Sequence, residues 1–189
     1  MGILKLSTLK MSFPGMTETP RIPLVAPELM EPSLGTLNVA RTVAQNPALL
    51  KAWGEFAQYI LGPKLSLTPR QRELAILRVG WNQRADYEWA HHVEIAKVIG
   101  MTDQDILAVQ ETPGSCQLND LECCILQAAD DIHAAMEISS ATWAALAADF
   151  SHQQMLDLVF TIGQYTMVCI ALNSIKVPLE EGFTVLPDA

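Results

Sequence analysis

Apolar residues recur at three- and four-residue intervals along most of this 189-residue chain. That is the spacing of one face of an α-helix. Leu121, Cys124, Ile125, Ala128 and Ile132 follow it, and so do Leu74 and Leu77. Strand-like alternation is scarce, so the pattern predicts an all-α protein. Local signals set the helix limits. Helices are expected over 36–46 and 48–61, the second stopped near Gly62-Pro63. Thr68-Pro69 places an N-cap before a proline at the first helical position, opening a helix to about Asn82. The next helix spans 86–99, with Gly100 as its stop. Thr102 to Asp105 resembles a capping box for a short helix to about Gln110, broken by Pro113-Gly114. Asn119 with Glu122 caps another helix, 140–149 forms a short one, and Ser151 with Gln154 opens a long one to about Ser174.

Residues 1–35 break this pattern. Pro14, Pro20, Pro23, Pro27 and Pro32 fall there, and proline removes a backbone donor and restricts the residue before it. An irregular, extended arm is expected, wrapping the body or a neighbouring subunit. The helical domain covers 36–177 and a tail follows at 178–189. The run Leu158–Ile175 has no charged residue and approaches the length of a membrane span. Gly163, Gln164, Thr166, Asn173 and Ser174 interrupt it, so a helix buried in a core or at a subunit contact is expected.

Composition narrows the function classes. Half of the residues are hydrophobic and 17% are charged, which fits a folded domain rather than disorder. The net charge of −9 argues against nucleic-acid binding, which needs a basic surface. Cys116, Cys123, Cys124 and Cys169 form no C-x-x-C pair and no secreted disulfide framework. A reducing, cytoplasmic setting is expected, without a membrane anchor.

Candidate chemistry concentrates in Tyr87-Glu88-Trp89-Ala90-His91-His92 and in Glu73 one helix earlier. Glu88 and His92 share a helix face, one turn apart. The turn near Gln83–Ala85 is short, which makes the two helices antiparallel. Counted from that turn, Glu73 and His92 differ in axial height by about 4–5 Å. The three groups can meet if these faces look at each other. A histidine between two carboxylates can hold a proton and pass it on near neutral pH. The competing reading is an ordinary i,i+4 helix pair. His91, Tyr87, Trp89 and Trp81 surround the set, as pocket lining or as packing. Arg78 and Arg70 can anchor a substrate carboxylate or serve as ordinary helix charges. Glu88-Trp89-Ala90-His91 also has Glu-x-x-His spacing. Its nearest counterpart, Asp130-Asp131-Ile132-His133, departs from the di-iron pattern, so no metal and no cofactor are expected.

The segment from Arg72-Glu73-Leu74-Ala75-Ile76-Leu77-Arg78 through Tyr87–His92 to Ala96 and Gly100 resembles the carboxymuconolactone decarboxylase family, which includes the alkylhydroperoxidase D-like proteins. The resemblance extends more weakly over about 36–177. It implies an all-helical bundle around a two-helix hairpin, assembled as a trimer, hexamer or dimer. It also implies acid–base work by His92, Glu88 and Glu73 on a small lactone or cyclic carboxylic acid. Peroxidase members carry C-x-x-C followed by x-x-x-H. Here the thiol positions hold Ala85 and Glu88, so the thiolate chemistry of peroxide reduction lacks its nucleophile. The decarboxylase-like branch is the better match. Two alternatives stay open: a non-catalytic helical oligomer that binds a ligand or a protein partner, and redox chemistry through Cys116, Cys123 or Cys124.

Overall fold

The computed structural model describes residues 19–30, 36–112, 115 and 117–183. Among them there are eight α-helices and no strand, so the all-α expectation holds. The helices are α1 (Asn38–Val43), α2 (Pro47–Leu61), α3 (Pro69–Asn82), α4 (Asp86–Val98), α5 (Asp103–Ala108), α6 (Asp120–Ala135), α7 (Ser140–Ala147) and α8 (His152–Ile175). A short 3₁₀ turn, Pro27–Leu29, precedes them.

Most limits follow the local signals. Thr68 accepts from the Gln71 amide while the Gln71 side chain returns to Thr68, and Pro69 opens α3. The same reciprocal box starts α5 at Thr102 and α8 at Ser151. Gly100 takes the left-handed conformation, φ +91°, that ends α4. One boundary differs from expectation. The first predicted helix stops at Val43, because Asn46 leaves the helical region to cap α2 and accept from the Leu49 amide. The proline that follows Asn46 disfavours helical geometry at that residue.

Helix α3 is the centre of the bundle. It packs against α4, α6 and α8, and every residue from Arg72 to Gly80 is buried. A helix buried all round must carry apolar side chains or paired polar ones. Leu74, Ile76 and Leu77 supply the first kind, joined in the core by Ile125, Leu126, Leu158 and Ile162. Arg72, Glu73 and Arg78 are the second kind. On α8, Asp157 is also turned inward, accepting from Tyr59 Oη at 2.7 Å and from Ser66 Oγ at 2.6 Å.

The described part of the N-terminal arm lies on the body. Val25 N donates to Arg41 O at 3.1 Å, and Arg21 N to Ile175 O at 2.8 Å. Val177 and Leu179 pack beside Tyr87, Val168 and Leu172. Residues 1–18 and 31–35 of the arm and 184–189 of the tail lie outside the described residues. Within one chain the long apolar run is buried on one side. One face of α8 is in the core and the opposite face is exposed at Leu156, Phe160, Met167 and Ile170.

Candidate active site

Helices α3 and α4 bring the three sequence-predicted groups together. His92 Nδ1 lies 2.6 Å from Glu73 Oε2, and His92 Nε2 lies 2.9 Å from Glu88 Oε1. The imidazole is clamped by a carboxylate at each nitrogen, one from the facing helix and one from its own preceding turn. Tyr165 of α8 sets its ring edge-on to the imidazole, with centroids 4.9 Å apart. Glu73 is fully buried, and His92 and Glu88 are 5% and 6% exposed.

A fourth member stands behind Glu73. Arg72 Nε donates to Glu73 Oε1 at 2.8 Å, and its Nη1 reaches Leu61 O at 3.3 Å. One oxygen of Glu73 therefore serves the guanidinium and the other the imidazole. With His92 protonated, two cations and two carboxylates cancel in a dry site, which is the condition under which buried charge is tolerated. Burial by itself lowers the pKa of His92, but the hydrogen bonds to Glu73 and Glu88 outweigh it and push it up to about 9. Burial raises the Glu73 pKa, and its bonds to His92 and Arg72 more than reverse this. At neutral pH the imidazole is thus a loaded proton donor held between anions.

The flanking residues divide. Tyr87 Oη donates to Glu180 Oε1 at 2.7 Å and accepts from Val39 N at 3.2 Å. His91 Nε2 lies 2.6 Å from Glu180 Oε2, with its ring between Tyr87 and Phe183. Both residues hold the C-terminal segment through Glu180. Trp81 and Trp89 pack on each other, centroids 5.7 Å apart, and Trp89 belongs to the core. Of the two readings of Arg78, substrate anchor or helix charge, its contacts favour the helix charge. Its Nε and Nη2 donate to the two oxygens of Asp130 at 2.6 and 2.7 Å, and its Nη1 serves the carbonyls of Val109 and Glu111. A guanidinium so occupied ties α3 to α6. Arg70 is likewise paired, with Asp105 and Glu122.

A cleft of about 600 Å³ lies along α4 beside Trp89, Ala90, Val93, Lys97 and Phe183. A second, of about 360 Å³, lies beside Phe56, Phe160 and Met167. Neither is lined by Glu73, Glu88 or His92. Among the described residues no group of three or more His, Cys, Asp or Glu is arranged to hold a metal ion. Asp130 of the Asp-x-x-His segment is taken by Arg78 and Asn82.

The helical hairpin with its histidine and two glutamates falls within residues 47–115, which match the carboxymuconolactone decarboxylase family. This segment belongs to that family. Solved structures place the bundle in the alkylhydroperoxidase D-like fold. A protein of Ralstonia eutropha JMP134, described as an alkylhydroperoxidase AhpD core and uncharacterized peroxidase-related protein, superposes with a TM-score of 0.75. The identity is 15%, over 86% of this chain and 93% of that one. An uncharacterized peroxidase-related protein of Silicibacter sp. TM1040 gives 0.72 at 16% identity, over 88% and 97%. The debrominase Bmp8, as a cysteine-to-alanine variant in complex with 2,3,4-tribromopyrrole, gives 0.69 at 21%, over 88% and 94%. No curated protein matches the chain.

Against the peroxidase pattern of this carboxymuconolactone decarboxylase family, the first thiol position is Ala85, the buried N-cap of α4. The second is Glu88, bonded to His92. Among the described residues, the free cysteines Cys124 and Cys169 do not replace them. Burial pushes the thiols of Cys124 and Cys169 up, away from the thiolate form. Cys123 is not a free thiol, because its sulfur is bonded in a disulfide. Cys116 lies outside the described residues. Sequence reasoning missed Arg72, Tyr165 and Glu180. Arg72 had a signal, since a guanidinium directly before a buried glutamate can neutralise it. Tyr165 and Glu180 arrive from 73 and 88 residues beyond His92, and no local spacing reports that.

Proposed function

We propose that this protein is a carboxymuconolactone decarboxylase-like enzyme. It uses His92, Glu88 and Glu73 without a thiol nucleophile and without a cofactor, on a small lactone or cyclic carboxylic acid. The observation that carries the reading is the double clamp on His92, 2.6 Å to Glu73 and 2.9 Å to Glu88. Glu73 is sealed inside and paired with Arg72, so it fixes ring orientation and stabilises the imidazolium. The transferable proton is the one on Nε2, toward Glu88. In a decarboxylation the bond to the carboxylate breaks and its electron pair stays on the ring carbon as an enolate. Carbon dioxide leaves, and the proton from His92, directly or through Glu88, closes the new C–H bond. Water then reloads the site. The same proton path serves an isomerisation, in which the Glu88 carboxylate takes a proton from one carbon and the His92 imidazolium delivers one to another. The fold supports this reading to the extent that a debrominase shares it; the substrate class rests on the family match of residues 47–115.

One observation favours a different reading, a non-catalytic ligand- or partner-binding oligomer that keeps the triad as a buried network. Neither the cleft along α4 nor the groove beside Phe160 is lined by the triad. The two readings separate in one experiment. A panel of unsaturated lactones bearing a carboxylate is incubated with the protein, and carbon dioxide and product are measured. His92→Ala should abolish turnover while far-ultraviolet circular dichroism and oligomer mass stay unchanged. Full turnover in that variant would exclude the acid–base assignment.

A further inference from the structure

The chain has three tyrosines, and two of them end on a carboxylate. Tyr59 Oη donates to Asp157 and Tyr87 Oη to Glu180, each at 2.7 Å. Tyr165 is the exception. It is 6% exposed, yet its hydroxyl makes no hydrogen bond among the described residues. A buried phenol usually finds a partner, and leaving one unmet is costly. Thr161 Oγ1, one turn earlier on the same face of α8, also lacks a partner, but it is sealed from solvent. Tyr165 Oη is not among the sealed, unpartnered atoms, so it borders open space.

This unmet hydroxyl stands at the triad. Ser66 N donates to Asp157 and Asn173 Nδ2 to Gln83 O, pairs that are 91 and 90 residues apart. Helix α8 therefore runs alongside α3 in step, which sets Glu73 level with Gly163 and Gln164, just before Tyr165. The Tyr165 ring meets the His92 imidazole edge-on, at 85° and 4.9 Å between centroids. Its hydroxyl feels the charges of Glu88, Glu73 and Arg72, and burial together with the two carboxylates holds its pKa well above the ordinary phenol value. It is thus a neutral donor near neutral pH. The charged donors of the site are turned to protein partners. Both His92 nitrogens face carboxylates, and Arg72 gives Nε to Glu73 and Nη1 to Leu61 O.

The chemistry proposed above needs a donor that the triad does not supply. When a lactone acid loses carbon dioxide, the electron pair of the broken C–C bond passes through the conjugated ring onto the lactone carbonyl oxygen. That oxygen becomes an enolate beside two carboxylates and has to be stabilised by a preorganised donor. His92 cannot serve it, because its proton goes to carbon. We infer that the Tyr165 hydroxyl receives this oxygen, donating a hydrogen bond to the substrate carbonyl and a stronger one to the enolate, while the phenol keeps its own proton. Tyr165 is then a catalytic residue. The substrate ring lies between α4 and α8, its carbonyl toward Tyr165 and its reacting carbon toward His92 Nε2. The assignment rests on the acid–base reading of His92. It adds the substrate feature that is recognised, a carbonyl conjugated with the carbon that loses its carboxylate.

The probe is tetronic acid, a five-membered lactone that is an enolate anion at neutral pH, with binding to the full-length protein measured by calorimetry. Tyr165→Phe should weaken tetronate binding about tenfold or more, the worth of a hydrogen bond to a charged group. Tyr59→Phe, which removes the hydroxyl bonded to Asp157, should bind tetronate like the native protein. For a lactone acid that the native protein decarboxylates, Tyr165→Phe should lower kcat about a hundredfold, as the loss of an oxyanion donor does, with KM little changed. The NMR midpoint of the His92 imidazole should stay at its native value, since phenylalanine keeps the edge-on contact; a merely structural role would move it. No tetronate binding by the native protein, native affinity in Tyr165→Phe, or an undiminished kcat in that variant would overturn the assignment. Failure of the underlying reading looks different. His92→Gln would then turn substrate over at the native rate while Tyr165→Phe still lost tetronate, which would support the enolate site with another group as its acid.

Discussion

Replacing Glu73 with glutamine removes one negative charge from a sealed site and changes almost no volume. Its consequence can be worked from the geometry. His92 titrates near 9 instead of 6.5 because two carboxylates outweigh the cost of burial. At about 1.4 kcal/mol per pKa unit, that preference for the charged ring corresponds to about 3 kcal/mol. Glu73 holds the shorter of the two contacts, 2.6 Å against 2.9 Å. Its loss should lower the His92 midpoint by roughly one to three pH units. Arg72 also loses its carboxylate partner, so unfolding free energy at neutral pH should fall by about 3 kcal/mol. The linkage has a definite sign. A histidine raised in the folded state stabilises fully below about pH 6.5, and this is lost as pH rises through about 9. Glu73, whose pKa is depressed, stabilises above about pH 4.5, and this is lost as pH falls through its folded value. The native site should therefore contribute most between these limits, on the acid side of neutrality, and Glu73→Gln should flatten both slopes. The assay is a proton NMR titration of the imidazole Cε1–H signals, with His92 identified among the four histidines by its loss in His92→Gln. Urea unfolding at several pH values accompanies it. A native His92 midpoint at or below 6.5, or one unmoved by Glu73→Gln, would refute the electrostatic reasoning.

Three further outcomes follow from other parts of the molecule. Arg78→Met should cost about 3–5 kcal/mol in chemical denaturation, since it leaves Asp130 without its bidentate partner, while the His92 midpoint stays in place; a shifted midpoint would return Arg78 to the site. Glu180→Ala should free the C-terminal segment from Tyr87, His91 and the Asn38 amide and speed protease cleavage near residues 178–183; unchanged cleavage would show that the carboxylate does not hold it. With Ala85 and Glu88 at the thiol positions, hydroperoxide reduction in the presence of dithiol should equal that of a variant lacking all four cysteines; a clear excess in the native protein would revive the redox alternative.

Much of the hairpin was legible because its determinants are local. Thr68-Pro69 and Gln71 fix where α3 begins, and the 83–85 turn fixes the axial heights of Glu73 and His92 to within a turn. What spacing could not supply was rotation about the helix axes. That depends on α3 being buried on every side, through contacts with α6 and α8 much later in the chain. For the same reason the sequence left Arg78 open between substrate anchor and helix charge. Its partners Asp130, Val109 and Glu111 lie on other elements, and only folding brings them to it. Composition left the outer face of α8 open between core and subunit contact, since an uninterrupted apolar run does not distinguish a helix buried twice from one buried on a single face.

The central claim is that the clamped imidazole delivers a proton to substrate carbon, and turnover in heavy water tests it most directly. For a lactone acid that the native protein decarboxylates, mass spectrometry should find one deuterium on the carbon that lost the carboxylate, with His92→Gln and Glu88→Gln losing most of the rate. Undiminished turnover in His92→Gln, with the same labelled product, would contradict the account.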